Sequence, residues 1–331
     1  VTVLVTGASG LLGSVVARVL VDRGEQVRTL QRRPSGVAGA VDVAGSVTDP
    51  DVVARAVEGV DGVVHLAAKV SLAGDPADFD AVNVGGTSTV LDAARHAGVP
   101  RFVQVSSPSV AHAGSSLVGV GAEPADPTRA HGDYARTKGL AELLALAADD
   151  GSAGTDVVAV RPHLVWGPGD TQLVERVVDR AARGRLPLLG HGAALVDSTY
   201  VDNAADGIVA ALDRLRDAPD VVRGRAYVLT NGEPRTVADL MAGICGAAGV
   251  PAPAWRVPAG LARAAGSVVE AVWRVRPGTD EPPMTRFLAE QLSTAHWFDQ
   301  RATRADLGWT PAVSIDEGME RLAAYYADRT R

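Results

Sequence analysis

The first half of the chain alternates two hydrophobic periods, and few folds accommodate that alternation. Short apolar runs at Val1–Thr6, Gln26–Gln31, Gly62–Ala67, Arg101–Ser106 and Thr155–Arg161 read as strands. Between them, Ala-rich segments with helical spacing span Ser14–Arg23, Asp49–Val60, Asp78–Ala97 and Tyr134–Ala148. Gly24 and Gly98 stop two of these helices, and Asp49–Pro50 forms an N-cap and first-turn pair. Strands joined through helices must run parallel, because a parallel pair needs a long crossover, and such a sheet is covered on both faces. The predicted class is α/β, a doubly wound parallel sheet of the Rossmann kind. After Arg161 the rhythm breaks, and Pro, Gly and Trp become frequent between short helical patches. A smaller, mostly helical C-terminal region is predicted over 163–331, with 197–230 returning to the first unit (1–162).

Composition narrows the class of function. Of 331 residues, 47% are hydrophobic and 21% charged, as expected of a packed globular protein. A net charge of −7 argues against a broad basic surface for nucleic acid or anionic lipid. Cys245 is the single cysteine, so no internal disulfide can form, and a cytoplasmic setting is expected. The chain opens directly on an apolar strand with no basic segment before it, which speaks against a signal peptide. The stretch Leu261–Val275 carries Arg263, Glu270 and Arg274; it is too short and too charged to span a bilayer and is expected to cap a pocket, with lying against a membrane as the alternative. Gly114–Gly121 and Arg276–Pro283 read as loops.

Gly7, Gly10 and Gly13 lie between the first strand and the first helix, with Ser9, Leu11 and Leu12 among them. Glycines there allow a tight turn and close approach to a pyrophosphate, which the free N–H groups and positive dipole of the helix N-terminus attract. The second strand ends Leu30-Gln31-Arg32-Arg33, without a carboxylate to bind the ribose hydroxyls of NAD(H). A cation such as Arg32 can instead pair with a 2′-phosphate, so NADP(H) is the expected cofactor and NAD(H) the alternative.

Tyr134 and Lys138 are four residues apart and so share one helix face. Reduction of a ketone needs a proton donor at its oxygen. A phenol has an ordinary pKa of about 10, and a neighbouring ammonium lowers it by stabilising the phenolate. Ser107, at a strand end, supplies a hydroxyl to hold the substrate oxygen.

In this order these motifs resemble the extended short-chain dehydrogenase/reductases. Thr6-Gly7 to Gly13 matches their T-G-x-x-G-x-x-G loop. Asp61-Gly-Val-Val-His65-Leu66-Ala67-Ala68 matches their D-x-V-x-H-x-A-A strand, and Asn83 with Gly86-Thr87 their N-x-x-G-T motif. Arg161-Pro162 with Gly167-Pro168-Gly169-Asp170, and Tyr200-Val201-Asp202-Asn203, match two further segments. The resemblance implies Tyr134 as acid/base, Lys138 as the residue that orients the ribose and tunes Tyr134, and Ser107 as the oxygen-positioning hydroxyl. It implies cofactor contacts from Leu66, Ala67, Ala68, Lys69, Asn83, Ser106, Pro162 and His163, and substrate contacts from Ser109 and Trp166. A homodimer through the helices Asp78–Ala97 and Tyr134–Ala148 is implied by the same analogy.

Ser106-Ser107-Pro108-Ser109-Val110 and the tail Asp306-Leu307-Gly308-Trp309-Thr310-Pro311 resemble the 3β-hydroxysteroid dehydrogenase-like branch. The stretch from Val105 to Gly114 is similar to bacterial 2-alkyl-3-oxoalkanoate reductases of long-chain olefin formation. The implied reaction is reduction of a 3-oxo acid to the 3-hydroxy acid on an apolar small molecule. A 3β-hydroxysteroid dehydrogenase, a nucleotide-sugar epimerase and a non-catalytic NADP(H) sensor are the alternatives. Pro108-Ser109 stand where dehydratases of the superfamily carry Asp-Glu. Ser46 replaces the adenine-contacting Asp common in the superfamily, and Trp166 its Tyr.

The remaining residues carry weaker signals. His65, ending a buried strand, reads as structural; His112 and His131 read as loop histidines facing solvent, with contact to a carboxylate as the alternative. His191 and His296 lack neighbours at metal-ligand spacing, so no metal site is expected. Trp255, Trp273 and Trp297 are assigned to the core, with a pocket lining as the alternative, and Cys245 packs in a helix.

Overall fold

The computed structural model describes residues 1–329 apart from 72–73, 113, 150, 152–153 and 276–284. In chain order it opens with β1 (Thr2–Thr6), α1 (Leu11–Asp22), β2 (Gln26–Gln31), β3 (Ala40–Ala44), α2 (Pro50–Val57) and β4 (Gly62–His65). Next come α3 (Pro76–Phe79), a π-helical turn over Asp80–Gly85, α4 (Gly86–His96) and β5 (Arg101–Val105). A 3₁₀ turn (Pro108–Ala111), β6 (Leu117–Val120), α5 (Asp133–Ala147) and β7 (Asp156–Pro162) close the first half.

The second half contains β8 (Val165–Trp166), α6 (Val174–Ala182), β9 (Leu188–Leu189), β10 (Leu195–Val196) and β11 (Thr199–Tyr200). It continues through α7 (Val201–Asp217), α8 (Pro219–Val222), β12 (Ala226–Leu229), β13 (Arg235–Thr236) and α9 (Val237–Ala247). It ends with β14 (Arg256–Val257), α10 (Ala259–Val275), α11 (Arg286–Gln291), β15 (His296–Phe298), α12 (Arg301–Leu307) and α13 (Ile315–Arg329).

Seven parallel strands form the central sheet in the order β12-β7-β5-β4-β1-β2-β3. Side chains alternate across it, as the period of two requires. Val3, Val5, Val64, Val103, Val105, Val158 and Val160 point into one core, beneath α1 and α7. Leu4, Val63, Phe102 and Val157 point into the other, beneath α2 and α4. The doubly wound architecture predicted from the alternation is therefore present. Strand β12 and helix α7 are supplied by the second half: β12 pairs with β7, and α7 lies on α1.

Several local expectations shift. Helix α1 begins at Leu11 rather than Ser14, so Gly13 lies inside it. The helix expected over Asp78–Ala97 begins at Pro76, capped by Asp75, and is interrupted by the π turn. Gly114–Gly121 was expected as a loop, but β6 forms within it because β15 pairs with it in parallel from the far end of the chain. Of the five tryptophans, Trp166 and Trp309 are buried, whereas Trp255 is 47% exposed and Trp273 and Trp297 are half-buried, so the core assignment of those three is corrected. Cys245 is fully buried in α9. The expected loop at Arg276–Pro283 lies outside the described residues. Among the described residues no helix is long and apolar enough to cross a membrane.

Candidate active site

The C-terminal ends of β1, β4, β5 and β7 lie side by side, with Thr6 opposite His65, His65 opposite Gln104 and Val105 opposite Val160. Loops leaving these ends build the site, as is general for open parallel sheets. After Thr6 the chain turns at Gly7 (φ 78°), where an added Cβ would lie 2.9 Å from the backbone nitrogen of Ala67. At Gly13 a Cβ would lie 2.5 Å from the Gly7 carbonyl oxygen. Two close backbone approaches therefore fold the loop against the α1 N-terminus. Gly10 caps α1 without a side-chain bond, and no acidic residue occupies the first turn, so its N–H groups face outward beside exposed Ser9. Leu11 and Leu12 are half-buried. The cradle fits a dinucleotide pyrophosphate.

Beside it, Gln31 is buried and Arg32 and Arg33 are exposed. The strand end has no carboxylate of its own, but β3 brings Asp42 alongside. That carboxylate accepts from Thr29 Oγ1 (2.5 Å), Gln31 Nε2 (3.2 Å) and Ser35 Oγ (2.6 Å), and from the Ser35 N–H (3.0 Å). Partial desolvation of this exposed side chain works against ionisation, yet these bonds hold it below the ordinary carboxylate range.

His65 is structural by its hydrogen bonds. Thr87 Oγ1 donates to the Asn83 carbonyl (2.7 Å) and so accepts from His65 Nε2 (3.1 Å). His65 Nδ1 then accepts from Thr6 Oγ1 (2.8 Å), which itself accepts from Ala67 N–H (3.1 Å). Burial, with the nearby charge of Lys138, lowers its pKa to about 3. Asn83, in the π turn, accepts from Lys69 N–H (2.7 Å) and donates to Thr137 Oγ1 (2.9 Å), tying half-buried Leu66, Ala67, Ala68 and Lys69 to α5. A π turn at a functional position is a recurrent feature.

Ser107 ends the β5 segment and caps the 3₁₀ turn; its oxygen accepts from Ser109 Oγ (3.0 Å) and, at 3.3 Å, from Ser109 N–H. Its own hydroxyl reaches the Tyr134 oxygen. Burial pushes the Tyr134 phenol upward, and the Ser107 bond offsets part of that. One turn along α5, Lys138 is buried and donates to the Val105 carbonyl at 2.5 Å. Desolvation lowers its pKa to about 8, against the raising influence of Glu142. Glu142 forms a buried ion pair with Arg161. Ser106 N–H bonds the Val160 carbonyl (2.7 Å), while its buried hydroxyl has no partner among the described residues. Pro162 ends β7, and His163 Nδ1 donates to the Asp197 carbonyl at 2.8 Å.

The structure thus gathers Ser107, Tyr134 and Lys138 with the glycine loop and the β4 end. It does not bring Trp166 to the cleft. That side chain is fully buried, donates to Ser198 Oγ (3.0 Å) and packs edge-on against Tyr200, so its assignment to the substrate is corrected. Ser109 meets Ser107 rather than open space. Two histidines expected to face solvent also differ. His131 pairs with Glu290 (2.7 Å), which also accepts from Arg286 Nε (2.8 Å), and His112 is buried against His296. Their partners lie over 150 residues away in sequence, so local spacing carried no signal for them. Among the described residues no group of three His, Cys, Asp or Glu side chains is placed to hold a metal ion.

Comparison with known proteins fits this geometry. A family model described as the NAD dependent epimerase/dehydratase family matches residues 3–229. The chain belongs to this family of extended short-chain dehydrogenase/reductases. It is an NAD(P)-dependent oxidoreductase of that family. A 2-alkyl-3-oxoalkanoate reductase of Stenotrophomonas maltophilia is 42% identical, covering 97% of this chain and 98% of its own. A 3 beta-hydroxysteroid dehydrogenase/Delta 5-->4-isomerase of Mycobacterium tuberculosis is 33% identical, covering 98% and 90%. Among solved structures, gox2253 superposes with a TM-score of 0.78 at 28% identity, covering 100% of this chain and 99% of its own. Both resemblances read from the sequence, to the 3β-hydroxysteroid dehydrogenase-like branch and to the 3-oxo acid reductases within it, are matched.

Proposed function

We propose that this oxidoreductase reduces the ketone of a 2-alkyl-3-oxoalkanoic acid to the secondary alcohol, using NADPH, as a homodimer in the cytoplasm. The observation that carries the substrate class is the 42% identity to a 2-alkyl-3-oxoalkanoate reductase over nearly both full lengths. A bound reduced nicotinamide supplies the hydride. The residues supply the proton and the geometry. Tyr134, its pKa held high by burial, is a neutral phenol at pH 7 and can give its proton to the substrate oxygen. The Ser107 hydroxyl, bonded to Tyr134 and steadied by Ser109, positions that oxygen. Lys138, charged below about pH 8, stabilises the phenolate left behind.

Preference for NADPH rests on the exposed cations Arg32 and Arg33 at the β2 end, where Asp42 is engaged by Thr29, Gln31 and Ser35. A homodimer is supported by the packing of α4 beside α5, with Leu143 left 42% exposed. A 3β-hydroxysteroid is the second reading, favoured by the 33% identical relative. The test is loss of nicotinamide absorbance with a long-chain 2-alkyl-3-oxo acid. Oxidation of NADPH well ahead of NADH is expected. No oxidation of either, with both cofactors bound, would refute the substrate class and turn the search to steroids.

A further inference from the structure

The chain leaving β2 carries two cations beside a carboxylate that does not pair with them. Arg32 and Arg33 are exposed, and among the described residues neither makes a hydrogen bond or an ion pair. Asp42 stands on the neighbouring strand β3, directly opposite Thr29 in the register, and is itself exposed. Opposite charges joined by so short a loop would ordinarily meet, and these do not.

Neutral donors occupy the carboxylate instead. Thr29 Oγ1 (2.5 Å), Gln31 Nε2 (3.2 Å) and Ser35 Oγ (2.6 Å) donate to Asp42 Oδ1, and the Ser35 N–H donates to Oδ2 (3.0 Å). An ionised carboxylate only accepts, through about four lone-pair positions, so these donors go far towards filling it. Thr29 Oγ1 gives its hydrogen to Asp42 and therefore accepts from Gln31 Nε2 at 3.0 Å, which uses both amide hydrogens of Gln31. Gln31 comes immediately before the two arginines, and Ser35 follows them after Pro34. The segment Gln31–Ser35 is thus tied at both ends to one carboxylate. Between the ties, Pro34 fixes its own φ and restricts Arg33 before it. Ser35 Oγ also accepts from the Val37 N–H (3.2 Å), which extends the hold across the turn at Gly36 (φ 71°).

We propose that Asp42 is a positioning residue for cofactor choice: by tying the segment Gln31–Ser35 at both ends, it keeps Arg32 and Arg33 unpaired and held for the 2′-phosphate of NADPH. This rests on the NADPH reading above. A segment ordered before the ligand arrives loses less freedom on binding, so the same charge pairs give tighter association. A carboxylate already filled by neutral donors also leaves the guanidinium groups to the phosphate. Other roles for Asp42 make different demands. A carboxylate that merely stood near the site would repel the phosphate, and its removal would tighten NADPH. One that bound the ribose hydroxyls would hold NADH, and its removal would weaken NADH. One that acts through the arginines weakens NADPH alone when removed, and has no effect once the arginines are gone.

The test is titration of the full chain with NADPH and with NADH by nicotinamide fluorescence, beside a thermal melt. The proteins are wild type, Asp42→Ala, Arg32→Ala with Arg33→Ala, and the combination of these changes. Asp42→Ala should weaken NADPH about tenfold and NADH less than about twofold, and on top of the arginine changes it should alter NADPH less than about twofold, because residues acting through one another are not additive. Ser35→Ala keeps the Asp42 charge and removes the Ser35 Oγ bond; it should weaken NADPH about threefold with NADH unchanged, and it decides the matter where Asp42→Ala does not fold. Tighter NADPH binding by Asp42→Ala, an equal loss of both cofactors, a loss of NADH alone, or the same loss with and without the arginines would each overturn the proposal. Arginine changes that weaken both cofactors equally would overturn the NADPH reading together with it. A cofactor ratio moved by the arginine changes but left untouched by Asp42→Ala and Ser35→Ala would overturn the role of Asp42 alone.

Discussion

Gly13→Ala should deprive the protein of its dinucleotide without unfolding it. The new Cβ would stand 2.5 Å from the Gly7 carbonyl oxygen and 2.9 Å from its carbon, and both are backbone atoms that no rotamer change can move. Ordinary contact begins near 3.4 Å, so loop and helix must part by about 0.9 Å. A hydrogen bond of about 2.9 Å from an α1 N–H to a phosphate oxygen would stretch beyond about 3.5 Å, where it no longer counts as one. Two charge-assisted bonds at roughly 1.5–3 kcal/mol each amount to about 3–6 kcal/mol, or roughly 10²–10⁴-fold in Kd. Overpacking itself costs about 1–3 kcal/mol, offset in part by the better helix propensity of Ala. Titration of NADPH by its fluorescence, beside a thermal melt of the free protein, separates the two effects. Gly10→Ala is the control: its Cβ meets nothing closer than 3.5 Å, so its melt should be unchanged. A folded Gly13→Ala protein binding NADPH within threefold of wild type would refute the cradle.

Four other outcomes are expected. Tyr134→Phe should lower kcat by roughly 10²–10⁴-fold, the usual worth of a positioned general acid, with NADPH affinity unchanged; retained turnover would remove Tyr134 from the chemistry. Arg32→Ala with Arg33→Ala should weaken NADPH far more than NADH in the same titration, and equal losses would show that these cations do not read a 2′-phosphate. In a pH series, kcat/KM for reduction of a neutral substrate should hold below about pH 8 and decline above it, because Lys138 then loses the charge that supports the Tyr134 phenolate. The stability linkage has the opposite sense: between about 8 and the ordinary 10.5 the unfolded chain keeps the Lys138 proton and the folded chain does not, so this contribution to stability rises with pH. A rate that rises through pH 8 would contradict the role given to Lys138. Trp166→Ala should cost about 3–5 kcal/mol in urea unfolding, as for a fully buried aromatic; a loss under about 1 kcal/mol would contradict its core placement.

What was legible in the sequence, and what was not, divides by the range of the interactions. The strand–helix alternation, the Asp49 cap and the glycine loop are encoded within a few residues; the cap and the parallel sheet appear where their patterns placed them, with two helix starts moved by two or three residues. The approach of Ser107 to Tyr134 was legible only because motif order stands in for a contact that 26 intervening residues would otherwise conceal. Nothing in Gly114–Gly121 marks a strand, because β6 exists only through its pairing with β15, from the opposite end of the chain. Trp166 looked like a pocket residue for a related reason. Its motif position says nothing of Gly318 in α13, where an added Cβ would lie 2.9 Å from the indole, a packing that seals the ring inside. Asp42 was hidden because β2 was read from its own residues, while the carboxylate arrives from β3. His112 and His296 follow the same rule: they look solitary in sequence, and only the fold brings their buried rings edge to face, 4.7 Å apart.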